Sequence, residues 1–266
     1  MPFKSTRFIG WADDGRPRLP YDRIVEQHAI LRDTIATTLA GDPGAHHHLW
    51  GFVALQSFTY VFNVYKAIGL LLPEHYHESG AVVLRQMWEV SLNLHWIERD
   101  PEPRAQDFCN FTVMEMRKAA EKTEAPLSLS DFDEATERFQ SRFRFRDRRG
   151  RDRTHHNFST ATVRERADEL GEPWNQDYQL IYHLSSMHIH GAPGAVLHQH
   201  FVHHSSSPET REKDSTALIA YLSMKTIVDD VHLLVRQRFA ADSEKIDAVF
   251  ERVLDPPPSP SEPKKS

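Results

Sequence analysis

The stretch YHLSSMHIHG at residues 182–191 sets Tyr182, Ser186 and His190 at four-residue steps, so a helix through it aligns a phenol, a hydroxyl and an imidazole on one stripe. Tyr178 extends that stripe one turn upstream, and Gly191 stops it immediately after His190. An imidazole in the last turn of a helix is favoured in its protonated form and suits general acid–base work. Nearly a hundred residues earlier, Arg85 and Glu89 lie about 40° apart on another helix, with Val82, Leu92 and Trp96 in the same sector. A guanidinium in apolar surroundings needs an acceptor, because it does not neutralise and an unpaired buried ion is costly.

Two readings fit this pattern. In the first, the five residues form one site acting on a phosphate-containing substrate such as RNA. His190 moves protons, Arg85 stabilises developing negative charge, Glu89 orients it, and Tyr182 and Ser186 position the substrate. In the second, Arg85 and Glu89 bridge only each other and the hydroxyls satisfy neighbouring groups. The chain is then a non-catalytic ligand-binding or protein-interaction bundle whose polar seam fixes helix register.

Other clusters compete with this stripe. The run RFRFRDRRGRDR at residues 142–153 interleaves Phe143 and Phe145 with seven arginines. That composition suits phosphate contact and base stacking, and equally a solvated helix end with both aromatics tucked onto the bundle. On the first of these, Arg149, Arg151, His155 and His156 are substrate-binding residues and RNA or another phosphate-containing ligand is the partner. Seventeen histidines raise the question of metal. Glu74-x-x-His77 and Asp229-x-x-His232 have the carboxylate–histidine spacing of helical di-metal sites, but the first sits at a helix start beside Pro73 and matching carboxylates on two further helices are not evident. No metal site is expected. With no Walker loop, dinucleotide fingerprint or GxSxG elbow, no cofactor is expected either.

The elements that must position these residues read as helices. Strand signals are scarce, and Pro and Gly punctuate the chain at helical intervals. Helices are expected over about residues 20–40, 49–73, 74–100, 102–123, 128–146, 160–170, 174–190, 213–241 and 243–253. The fifth is expected to open on a Ser or Asp cap and to fade into an arginine-rich loop. The expected fold is an all-α multi-helix bundle of about seven to nine helices. Its expected layout is an N-terminal extension at 1–19, one helical-bundle domain over 20–254 and a disordered Pro-rich tail at 255–266.

The 266 residues are 39% hydrophobic, enough for a large core, and a net charge of −6 confines any nucleic-acid binding to a local patch. One cysteine, Cys109, excludes an internal disulfide, and the first twenty residues lack the apolar core of a signal peptide, so a cytoplasmic location is expected. Residues 49–73 carry one charge, Lys66, but Gln56, Ser57, Thr59 and Asn63 dilute them, so they read as the central helix of a bundle, apolar all round, with no membrane partner. A homodimer is compatible with the pattern.

The stretches RQMWEVSLNLHWIERDPEPRAQDF, residues 85–108, and YHLSSMHIHG resemble a bacterial family known as domain of unknown function 5677. The matching positions are Arg85, Glu89, Trp96, Ile97, Asp100, Pro101, Arg104 and Phe108, then Tyr182, Ser186 and His190. The resemblance spans roughly residues 25–240 and implies an all-helical fold without an assigned activity. The layout also resembles the HEPN group of helical domains, many of them metal-independent ribonucleases of defence systems, whose signature is an arginine followed four to six residues later by a histidine. Arg149 before His155 and Arg151 before His156 meet that spacing, although seven arginines make some match easy and a loop is not the usual helical setting.

Overall fold

A computed structural model describes residues 10–11, 17–18, 21–38, 48–74, 76–123, 132–155, 157–182, 185, 208–236 and 244–254. Among them the chain is all-α, a multi-helix bundle with two small antiparallel ribbons. The helices are α1 (Tyr21–Thr38), α2 (Leu49–Leu71), α3 (His77–Glu98), α4 (Pro101–Thr123), α5 (Asp133–Phe143), α6 (Val163–Leu170), α7 (Trp174–Asp177), α8 (Pro208–Arg236) and α9 (Glu244–Leu254). A π-turn, Tyr178–Tyr182, continues α7. The ribbons pair β1 (Gly10–Trp11) with β2 (Pro17–Arg18) and β3 (Arg144–Arg146) with β4 (Asp152–Thr154).

The chain divides into two compact units: Met1–Gly44, Leu55–Ser91 and Gln176–Ser266 form unit 1, and Ala45–Ala54 with Leu92–Asn175 form unit 2. In unit 1, α1 packs on α8 and α9, burying Ile24, His28, Leu31 and Ile35 at steps of four, three and four that make one stripe of a helix. On α2, Phe58, Val61, Tyr65 and Ile68 repeat the pattern, and buried Leu72 continues it just past the helix end. The apolar composition of α2 suggests enclosure on all sides, but Phe52, Tyr60 and Leu70 are exposed, so only one stripe is core. Among the described residues no helix is long and apolar enough to cross a membrane.

In unit 2, Met114 of α4 and Phe139 and Phe143 of α5 form a buried cluster with Phe111 against it, and the Phe139 and Phe143 rings stack with centroids 4.5 Å apart. A Thr162–Glu165 capping box opens α6, and Gly171 at φ +77° ends it, its amide donating to Ala167 and Asp168 carbonyls. The N-cap of α5 is Phe132 with no side-chain cap, so the expected Ser or Asp cap does not operate there. The expected arginine-rich loop is also replaced by an ordered ribbon. Asp147 organises it: its backbone amide donates to the Arg151 carbonyl, its carboxylate accepts the Arg149 and Arg151 amides, and Gly150 sits at φ +74°. A type I turn followed by a left-handed glycine is a standard hairpin solution. Those backbone bonds, with the Arg151 and Arg153 guanidiniums, hold the Asp147 carboxyl below its usual range.

One polar clamp in unit 2 ties α3, α4 and α6. The Arg104 guanidinium lies 3.6 Å from the Trp96 ring centroid, donates to the Trp96 carbonyl at 2.6 Å and to Glu169 Oε1 at 2.8 Å, while Trp96 Nε1 donates to Glu169 Oε2 at 2.7 Å. Burial works against the Glu169 carboxylate, yet the bonds from Trp96 and Arg104 hold its pKa below the usual value. Phe158 meets Trp96 and Phe108 edge-on, at 5.9 and 5.1 Å. Replacing Arg104 with Ala is expected to cost about 2 kcal/mol in urea unfolding, from the lost stacking and hydrogen bonds. Lys at that position should recover little, lacking the planar fork.

Candidate functional site

The polar residues of α3 point where the helix crosses the chain after α7. Arg85 Nε donates to Glu89 Oε1 at 2.6 Å, with the two side chains 13% and 33% exposed, so the pair is half-buried but reaches solvent. The guanidinium lies over the face of Tyr182, 3.8 Å from the ring centroid. Tyr182 stacks on Tyr178 at 4.8 Å, and Tyr178 leans on buried Trp88 at 6.3 Å. A ladder of Trp88, Tyr178, Tyr182 and Arg85 results, closed by Glu89. It brings Arg85, Glu89 and Tyr182 together from stretches distant in sequence.

The local backbone differs from the expected continuous α-helix over 174–190. Residues 178–182 form a π-turn, in which amides reach back five residues instead of four, yet Tyr178 and Tyr182 still overlap. Buried Ser185 donates its hydroxyl to the Ile181 carbonyl at 2.6 Å. Ser186 and His190 lie outside the described residues, as does His156. Arg149 is exposed at the β3–β4 turn, Arg151 is committed to Asp147 at 2.9 Å, and His155 meets the Phe145 ring at 4.6 Å. The Arg149-to-His155 spacing therefore spans the β3–β4 ribbon and not a helix.

A second polar cluster underlies the ladder, and the sequence reading passed over it. Lys225 of α8 bonds Asp177, the residue just before the π-turn, and lies 3.8 Å from Asp229. Burial pulls the Lys225 pKa down, but the two carboxylates outweigh it and raise the pKa above the usual lysine value. Tyr221 is pushed up chiefly by burial. One turn on, Asp230 is fully buried and accepts from the Ser91 hydroxyl of α3. The available signal was a lone lysine within ALIAYLSMKTIVDDVHLL, a stretch otherwise suited to a buried helix.

Of the two carboxylate–histidine pairs, the His77 side chain of the first lies outside the described residues. Asp229 faces Lys225, whereas His232 Nε2 meets Asp247 of α9, and among the described residues no group of three or more potential ligands could hold an ion. The ladder's chemistry is that of an oriented cation beside a carboxylate and a phenol, an arrangement suited to binding an anion.

These features define a class: an all-α bundle with a half-buried arginine–carboxylate pair stacked on a tyrosine of a later helix. A model of the family of unknown function DUF5677 matches residues 51–208, more than half of the 266-residue chain. The chain belongs to that family. No curated protein and no solved structure matches it. The matched span is narrower than 25–240 but contains the ladder residues of α3 and the π-turn and the whole Trp96–Arg104–Glu169 clamp.

Proposed function

We propose that this chain acts on a phosphate-containing substrate, RNA foremost, at a site built on Arg85, Glu89 and Tyr182 and completed by Ser186 and His190. The observation that supports it is the Arg85 guanidinium stacked over Tyr182 and tethered by Glu89, which presents an oriented cation beside a phenol where two distant stretches meet. In this reading Arg85 stabilises charge developing on phosphate, Glu89 and the ring fix its plane, and His190 transfers the proton without a metal, as in HEPN-type ribonucleases. A cytoplasmic role in defence or stress, exercised as a homodimer, fits that chemistry.

The second reading, a ligand-binding or interaction bundle without catalysis, is favoured by the same saturation of Arg85, since stacking and an ion pair also fix helix register. Mutants separate the two. In a chelator-containing assay, Arg85→Met and His190→Ala should reduce RNA cleavage at least a hundred-fold with little change in thermal midpoint, the general acid–base contribution being about 10²–10⁴-fold. Tyr182→Phe keeps the ring under the guanidinium and isolates the hydroxyl's share. Marked destabilisation by Arg85→Met, in a wild type that cleaves nothing, would establish the register role instead.

A further inference from the structure

The β3–β4 ribbon of unit 2 concentrates cationic charge that the fold itself does not consume. Four arginines of the run 142–153 have acidic partners: Arg142 of α5 meets Asp107 at 3.1 Å, Arg146 meets Asp152 at 3.4 Å, and Arg151 and Arg153 meet Asp147 at 2.9 and 3.4 Å. Arg144, Arg148 and Arg149 are exposed and have no carboxylate partner among the described residues. Between them on the ribbon Phe145 is 40% exposed, with the His155 ring 4.6 Å from its own. Phe143, two residues earlier, is 6% exposed in the α4–α5 core, so the two aromatics of the run have opposite fates. One anchors the ribbon and the other is presented.

Three uncompensated guanidiniums and a half-exposed aromatic on one preformed ribbon match the chemistry of a single strand of nucleic acid, whose phosphates take the cations and whose unstacked base takes the ring. An A-form duplex hides its base faces, and a membrane surface calls for more exposed apolar area than one phenyl ring. Beside the ribbon, Met114, Lys118, Gln140, Arg144, Asp152, Arg153 and Thr154 line an open groove of about 350 Å³, of a size to seat one nucleotide.

We propose that this ribbon is a single-stranded RNA-binding surface, with Arg144, Arg148 and Arg149 on successive phosphates and a base on Phe145. The inference shares its ligand with the reading of the Arg85 site but needs no catalysis there, and it differs from the sequence expectation in its residues. Arg151 serves the turn, while Arg144, Arg148 and Phe145 carry the contact.

The test is fluorescence anisotropy of the full chain with a labelled twelve-nucleotide oligo-U, over a series of salt concentrations. The combined Arg144→Gln, Arg148→Gln, Arg149→Gln variant should lower the slope of log affinity against log salt by about 2, three phosphates at about 0.7 each. Phe145→Ala should weaken binding about ten-fold while leaving that slope unchanged. Oligo-U that is bound with this salt slope yet left uncleaved would sink the cleavage proposal and uphold this one, so the two failures are distinguishable. Wild-type affinity in the triple variant, tighter binding of a duplex that ignores Phe145→Ala, or binding to phosphatidylserine vesicles but not to RNA would each overturn the proposal.

Discussion

Lys225→Met is expected to lower the free energy of unfolding by about 3 to 5 kcal/mol, the cost of removing one partner from a buried ion pair. The side chains of Lys225 and Asp177 are 13% and 15% exposed, so loss of the cation leaves the Asp177 carboxylate desolvated with no opposite charge beside it. Asp229, at 3.8 Å, loses the Lys225 charge as well. Chemical unfolding at neutral pH measures the loss. Adding Asp177→Asn to Lys225→Met should restore part of it, because the double variant no longer buries that charge, and a coupling of about 1 to 3 kcal/mol is expected. If the single variant loses under about 1 kcal/mol, the cluster is hydrated and has no structural weight. Because Asp177 immediately precedes the π-turn, the single variant should also loosen Tyr178 and Tyr182, visible as reduced near-ultraviolet circular dichroism.

That same cluster shows where sequence legibility ends. The helix boundaries at Pro101 and Gly171 were readable because their causes are local. Pro101 sits at the first position of α4, where its missing amide is harmless, and Gly171 takes a positive φ after α6. The pairing of Arg85 with Glu89 was readable for the same reason, as a four-residue relation within one helix. Lys225 with Asp177 was not, because the partners are 48 residues apart and neither has a local signature. The ribbon was hidden for a different reason. Arginine-rich strands lack the β-branched alternation that marks a strand, and the hairpin depends on Asp147 accepting two backbone amides, which no periodicity encodes. The π-turn was missed because a four-residue stripe fits both an α-helix and a turn one residue wider.

The family motif, taken residue by residue, does two kinds of work. Trp96, Arg104 and Phe108 belong to a closed structural set, since Arg104 and Trp96 are both held by Glu169 and Phe108 packs on Phe158. Arg85, Glu89 and Tyr182 instead form the stacked ladder that joins α3 to the π-turn. A motif assembled from short spacings cannot distinguish these, because a guanidinium stacked on an aromatic ring is the local geometry in both. What separates them is the third partner. At Arg104 the ring's own indole nitrogen and the guanidinium share one carboxylate, which leaves that carboxylate committed on both oxygens. At Arg85 the carboxylate lies on the same helix and meets the guanidinium through Oε1, so one oxygen is engaged where Glu169 has two.

Acidification should destabilise the protein well before its carboxylates are neutralised, and His28 is the reason. Its ring is 1% exposed, stacked on Tyr65 at 3.9 Å, and its other side faces Gly69, where a Cβ would come within 3.1 Å of the imidazole. Nε2 is buried without a hydrogen-bond partner, and the Tyr65 hydroxyl donates to the His28 carbonyl at 3.0 Å, not to the ring. Burial, reinforced by the nearby Arg32 charge, lowers the imidazole pKa from 6.5 to about 3. The unfolded chain therefore binds the extra proton throughout the window from about 6.5 down to about 3, while the folded chain does not. Stability contributed by this group is complete above that window and falls by about 1.4 kcal/mol per pH unit within it, roughly 2 kcal/mol at pH 5. His28→Phe retains the stacked ring and removes the proton site, so the difference in unfolding free energy between wild type and variant should widen in the variant's favour by that amount between pH 7 and pH 5. Parallel pH profiles for the two proteins would mean that the folded imidazole titrates normally, and that the ring reaches water through an opening of the α1–α2 packing.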